Sequence, residues 1–159
     1  MKKKFIGGIF LLLCSIGIII SAPARADHTN APRMMCKDRA YVLETFKKEF
    51  NELPVEQGVE ESNVLVLILA NKNRNWTMFY TTLNNPYVYC SLMSGTNWTQ
   101  NEGSSTGILS NGSVVAIGYA DNGDWSLVIL NIETGLPKQI TTGTGWEQLI
   151  NLNIQTNSL

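Results

Sequence analysis

One pattern written twice constrains this chain more than any other feature. Asn63-Val-Leu-Val-Leu-Ile-Leu-Ala70 is followed by Trp76-Thr-Met-Phe-Tyr80 and Ser94-Gly-Thr-Asn-Trp98, and Ser113-Val-Val-Ala-Ile-Gly-Tyr-Ala120 is followed by Trp125-Ser-Leu-Val-Ile129 and Thr142-Gly-Thr-Gly-Trp146. The two stretches align at a spacing of about 49 residues with two one-residue gaps. Such recurrence marks a supersecondary unit that buries little surface alone and must pack against its twin. Each copy reads as an apolar strand, a polar turn, a Trp-led strand and a third strand.

The rhythm differs before the first copy. Cys36, Ala40, Leu43, Phe46, Phe50 and Leu53 recur at three- and four-residue steps, while Lys37, Asp38, Glu44, Lys48 and Glu49 face away. This spacing predicts an amphipathic helix over about 34–53, stopped at Leu53-Pro54 because proline disfavours helical geometry in the residue before it. Gln57-Gly58 and the polar stretch 99–107 read as linkers, Asn122-Gly123 as a hairpin turn, and the tail from Asn151 as frayed. The expected fold is α+β: an N-terminal helix packed on an antiparallel sheet of about six strands, built from two three-stranded meanders at about 62–98 and 111–149.

The chain opens with Lys2-Lys3-Lys4, an apolar run from Phe5 to Ala22, and Ala24-Arg25-Ala26. That is the three-part pattern of a secretory signal peptide, cut after Ala26. The expected domains are a leader, 1–26, and a single α+β unit, 27–159. An uncleaved anchor is the rival reading, since the run approaches the length that spans a bilayer. Export implies the periplasm or the exterior. Of twelve basic side chains, Lys2, Lys3, Lys4 and Arg25 leave with the leader, so eight face thirteen acidic ones, a net charge of −5. Phosphate neutralisation needs clustered Lys and Arg, so a nucleic-acid partner is excluded. Membrane contact is expected only through an uncleaved leader.

Cys36 and Cys90 remain after cleavage, and an even cysteine count in an exported chain predicts a disulfide. That bond would fasten the helix start to the third strand of the first copy. No catalytic residue, cofactor or metal ligand is assigned. The single histidine, His28, stands in the lead-in, away from any rigid element that a Ser-His or Cys-His site requires. Glu60, Glu61, Glu102, Asp121, Asp124, Glu133 and Glu147 fall mostly in turns, where acidic residues serve solubility. Asp121-Asn122-Gly123-Asp124 lacks the distal ligands of a calcium loop. His28, Met34, Met35 and Cys36 could offer soft ligands to copper, but the disulfide claims the cysteine.

Trp76, Trp98, Trp125 and Trp146 occupy matching positions and are the candidate ligand-binding residues. They read either as strand packing or as a stacking platform for sugar rings. The leading functional expectation is a non-enzymatic, protein-interacting or envelope-associated domain. A carbohydrate- or peptidoglycan-binding module is the alternative.

Cys36 at a helix start, Glu52-Leu53-Pro54-Val55, an apolar strand, Trp76-Thr77, and Cys90 followed by Gly95 and Trp98 together resemble a family of small uncharacterised periplasmic proteins of alphaproteobacteria. The resemblance covers about Cys36 to Trp98 and implies export, a helix-plus-sheet fold and one disulfide. It brings no catalytic residues. Lys138 stands where a second cysteine would align, so it implies no second bridge.

Overall fold

The computed structural model describes residues 35–155 apart from Leu83. The leader 1–26, His28 and Met34 lie outside the described residues.

Val64–Ala70 forms a strand, β3, with both faces covered, as its unbroken apolar run demands. Val66, Ile68 and Ala70 point one way and Leu67 and Leu69 the other, and the two sets belong to different apolar clusters. β3 pairs antiparallel with β2 (Leu53–Glu60) and with β4 (Trp76–Thr82), and β4 pairs with β5 (Asn85–Asn101). Next come β6 (Ser104–Leu109), β7 (Val114–Tyr119), β8 (Trp125–Leu130) and β9 (Pro137–Gln148), of which β7, β8 and β9 each pair antiparallel with the strand before. Two further pairings, β5 with β6 and β9 with β2, close the eight strands into a barrel. Closure leaves those strands no shared open edge.

The fold is therefore mostly β, and the expected helix on a six-stranded sheet is overturned. The two segments read as linkers are the missing strands. β2 holds Gln57-Gly58, and β6 with the end of β5 takes up most of 99–107. Their inward positions carry Glu56, Gly58, Ser105 and Gly107 in place of apolar side chains, so no apolar alternation announces them. Gly58 and Gly107 are inward glycines for a steric reason. A Cβ at Gly107 would stand 2.5 Å from Trp76 Nε1 and 2.8 Å from Trp98 Cε3, and one at Gly58 would clash with Trp146 and Trp125.

The expected helix over 34–53 is also shorter than its periodicity implied. Cys36–Asp38 is extended and forms β1, paired with β5 in the register Cys36 to Cys90, and those two cysteines are bonded. The helix α1 (Arg39–Thr45) starts only after Asp38, whose Oδ1 accepts from the backbone N–H of Ala40 at 2.8 Å. It continues as a π-helical turn, Phe46–Phe50, and ends on Asn51 in the left-handed region at φ 55°. The tail forms a short helix, α2 (Leu152–Gln155), and Leu152 is buried in the barrel's core cluster.

Helix α1 covers one half only. Val42, Leu43 and Phe46 pack on Leu67, Leu69, Phe79 and Tyr89, the outward residues of β3, β4 and β5. The corresponding positions of β7 and β8 are Ala116, Gly118 and Val128, too small to need a helical cover. The inward residues alternate with these and form one core: Val55, Val66, Ile68, Met78, Val115, Ile117, Leu127 and the four tryptophans. An eight-stranded barrel has an interior just wide enough for side chains to fill.

Candidate functional site

The structure gathers all four tryptophans inside the barrel. Trp76 is 1% exposed, Trp98 0%, Trp125 3% and Trp146 7%. They form two pairs of like geometry: Trp76 with Trp98 at 5.0 Å and 47°, Trp125 with Trp146 at 5.0 Å and 50°. Trp76 Nε1 donates to the Thr96 carbonyl at 3.0 Å, and Trp125 Nε1 to the Thr144 carbonyl at 3.1 Å and the Val59 carbonyl at 3.2 Å. The indole N–H groups of Trp98 and Trp146 have no partner among the described residues. These rings are core, none more than 7% exposed.

Two carboxyl groups that sequence reasoning passed over are buried instead. Glu56 on β2 lies inside the barrel, 0% exposed, and accepts from Ser105 Oγ at 2.6 Å. Around it Gln100, Gln148 and Tyr119 form a polar layer, tied together by Gln148 Nε2 donating to Tyr119 Oη at 2.8 Å. Burial pushes the Glu56 carboxyl up to about 7, against the pull of hydrogen bonds from Ser105, Gln100 and Gln148. The same burial, with the Glu56 charge, raises Tyr119. Helix α2 closes this end, for the Leu152 N–H donates to Gln100 Oε1 at 2.8 Å. Glu56 and Ser105 are closed to solvent, while Gln148 at the rim of the layer is exposed.

Glu52 is placed differently. It follows the left-handed Asn51, and its N–H donates to the Phe46 carbonyl at 3.1 Å, which turns the chain out of the π-helical turn. The residue lines a groove of about 560 Å³ shared by that turn and residues of β4 and β5. Met35, Phe46, Phe50 and Met93 supply the apolar lining, with Thr77, Ser91 and Ser94 as the other polar side chains. The Phe46 and Phe50 rings touch at 5.1 Å because the π-helical turn sets them on one side. Glu52 is 5% exposed, and burial, opposed by a hydrogen bond with Thr77, pushes its carboxyl up to about 7.

The acidic residues considered from sequence stay apart from both carboxyls. Glu61, Glu102, Asp121, Asp124, Glu133 and Glu147 are exposed, and Glu60 is half-buried, where its Oε1 accepts from Thr141 Oγ1. Residues 121–124 form a turn in which Asn122 Oδ1 accepts from the Asp124 N–H, and of the four only Gly123 has positive φ. Among the described residues, no three His, Cys, Asp or Glu gather as metal ligands, and no helix is long and apolar enough to cross a membrane. A signal for Glu56, though not for Glu52, was present in the chain. Glu56 and Gly58 precede Ser105 and Gly107 by the same interval that separates Trp76 from Trp125.

The hairpin of β8 and β9 carries the most exposed aliphatic surface. Ile132, in its turn, is 62% exposed and Leu136 67%, with Leu130 and Ile140 at 41% each. In the first half, β5 pairs with β1 at 88–90; the corresponding part of β9, around 136–138, pairs with β8 alone among the described residues. Pro137 offers no N–H there, and Lys138 places a charge on the edge.

No protein-family model matches the chain, and neither a curated protein nor a solved structure matches it.

Proposed function

We propose that this is an exported, non-enzymatic β-barrel domain that docks a partner protein through the exposed aliphatic side chains of the β8–β9 hairpin. The observation that carries the reading is the contrast between halves. The first half covers Leu67, Leu69 and Phe79 with α1 and Phe46, while Leu130, Ile132, Leu136 and Ile140 are exposed among the described residues. Contiguous exposed apolar surface marks interaction sites. Pro137 and Lys138 discourage strand addition, so the contact is read as one of side chains. The Cys36–Cys90 bond supports an oxidising compartment, and the matching Trp pairs support a duplicated four-strand unit. The glycan alternative rested on accessible indoles, and their burial removes its support.

A photo-crosslinking residue at Leu136, with Lys72 as control, tests this in the exporting cell. A discrete protein adduct from position 136, absent at position 72 and abolished by I132D, is the expected result. Equal labelling at both positions, or none at 136, would overturn the reading.

A further inference from the structure

A separate observation carries a small-molecule site in the groove under the π-helical turn. Glu52 is buried, yet its Oε2 has no hydrogen-bond partner among the described residues, although the residue lines an open cavity. An acceptor removed from water without a partner is costly, and a carboxylate more so. The lining supplies hydroxyls at Thr77, Ser91 and Ser94, and no cation. Ser91 Oγ already accepts from the Met35 N–H at 3.1 Å, which pins the chain along the groove's rim. The remaining walls are Met35, Phe46, Phe50, Trp76, Met93 and Gly95, so an occupant must be apolar along most of its length. A cavity of about 560 Å³ falls in the range of small-ligand sites.

We infer that this groove binds a small primary amine with an apolar body, its ammonium pairing with the Glu52 carboxylate as a group and its body packing on Met35, Phe46, Phe50 and Met93. The charge argument selects the amine over a neutral donor. Glu52 is the only titratable side chain among the lining residues, so an incoming ammonium supplies the countercharge that the protein omits. The Phe46 and Phe50 rings add a face that attracts cations. Lys37 and Asp38 on β1, and Lys47, Lys48 and Glu49 on the π-helical turn, are exposed and outside the lining. The site stands apart from the β8–β9 hairpin, and neither reading depends on the other.

Calorimetric titration of the disulfide-bonded protein with phenethylamine, phenethyl alcohol and hydrocinnamate tests the assignment, with the Met35 and Met93 methyl signals locating the probe. The amine should bind at least about tenfold more tightly than the alcohol, and the carboxylate should not bind. E52Q should level amine and alcohol. A second measurement needs no variant. An ammonium that pairs with the ionised carboxyl must displace its proton, so wild-type affinity should fall about tenfold per pH unit below pH 7. Equal affinity for amine and alcohol, an affinity independent of pH, or methyl signals that do not move would each overturn the inference.

Discussion

Ser105 donates to Glu56 Oε1 over 2.6 Å, and both residues are wholly buried. They sit on β6 and β2, strands on opposite sides of the barrel, so this bond crosses the interior. Each is two residues before the glycine that admits a tryptophan pair, Gly107 in one case and Gly58 in the other. The two halves thus meet through matching positions that differ in chemistry.

The burial of Glu56 makes stability depend on pH in an unusual direction. The Glu56 carboxyl is raised from 4.5 to about 7 in the folded protein, chiefly by burial. Between those values the folded state holds a proton that the unfolded chain has released, so folding stability falls as pH rises and levels off above about 7. Urea unfolding should show a loss of about 2 to 3 kcal/mol between about pH 5 and pH 8 from this residue, with Glu52 contributing in the same sense. E56Q should flatten the profile. S105A should move its upper limit to higher pH, since the Ser105 hydrogen bond favours the ionised form. A wild-type profile that rises through this window would contradict the assignment.

The disulfide should act on one face more than on the whole barrel. Cys36 and Cys90 are 54 residues apart, and the chain-entropy model attaches about 4 kcal/mol to closing such a loop. Ring closure of β2 to β9 does not pass through β1. Reduction should therefore free β1 and α1 first and bare Leu67, Leu69 and Phe79. Hydrogen exchange should show protection lost over 36–50 while β7 and β8 keep theirs. Simultaneous loss in all strands would show that the bridge holds the barrel itself.

Much of this arrangement was legible where apolar side chains mark the inward face. β3 follows from its short unbroken apolar run and the polar turn after it, β4 from Trp76, Met78 and Tyr80 alternating with Thr77, Phe79 and Thr81, and β7 and β8 from the second copy of that pattern, and Cys36 does meet Cys90. β2 and β6 were not legible, because Glu56, Gly58, Ser105 and Gly107 are polar or small on the face that should have been apolar. Their burial depends on contacts made elsewhere: tryptophans filling the space over the glycines, and a serine reaching a glutamate across the barrel. Barrel closure is equally non-local, since it rests on β9 returning to β2. The groove is not legible because Glu52 falls at the end of the expected helix, while its surroundings come from β4, β5 and the residues at 35, 46 and 50.

The tryptophans give a spectroscopic prediction. With none more than 7% exposed, emission should be blue-shifted and resist quenching by acrylamide. Glycans should leave it unchanged. Replacement by phenylalanine should separate the pairs by position. Trp76 and Trp125 lose an N–H bond to a carbonyl, whereas Trp98 and Trp146 lose none. The first two replacements should cost about 1 kcal/mol more than the second two, measured by urea unfolding. Strong acrylamide quenching in the native protein would mean that an indole is accessible after all.

The inward glycines set the last prediction. The backbone at Gly107 does not need positive φ, so alanine there is excluded by space alone. Its Cβ would meet Trp76 Nε1 at 2.5 Å and Cε2 at 2.6 Å, and the Trp76 ring is held by its bond to the Thr96 carbonyl. Neither ring of the pair can retreat without displacing the other at 5.0 Å. Gly107→Ala should lower stability by about 1 to 3 kcal/mol, the usual penalty of overpacking a filled core. Gly58→Ala should do the same against Trp146 and Trp125. Gly118→Ala is the control, because its nearest atom is Ser126 Oγ at 3.8 Å and it lies on the outer face. Thermal unfolding of the three variants under one condition decides the matter. Comparable losses in all three would assign the effect to strand propensity, whereas losses confined to positions 58 and 107 follow from the fit of glycine to tryptophan inside the barrel.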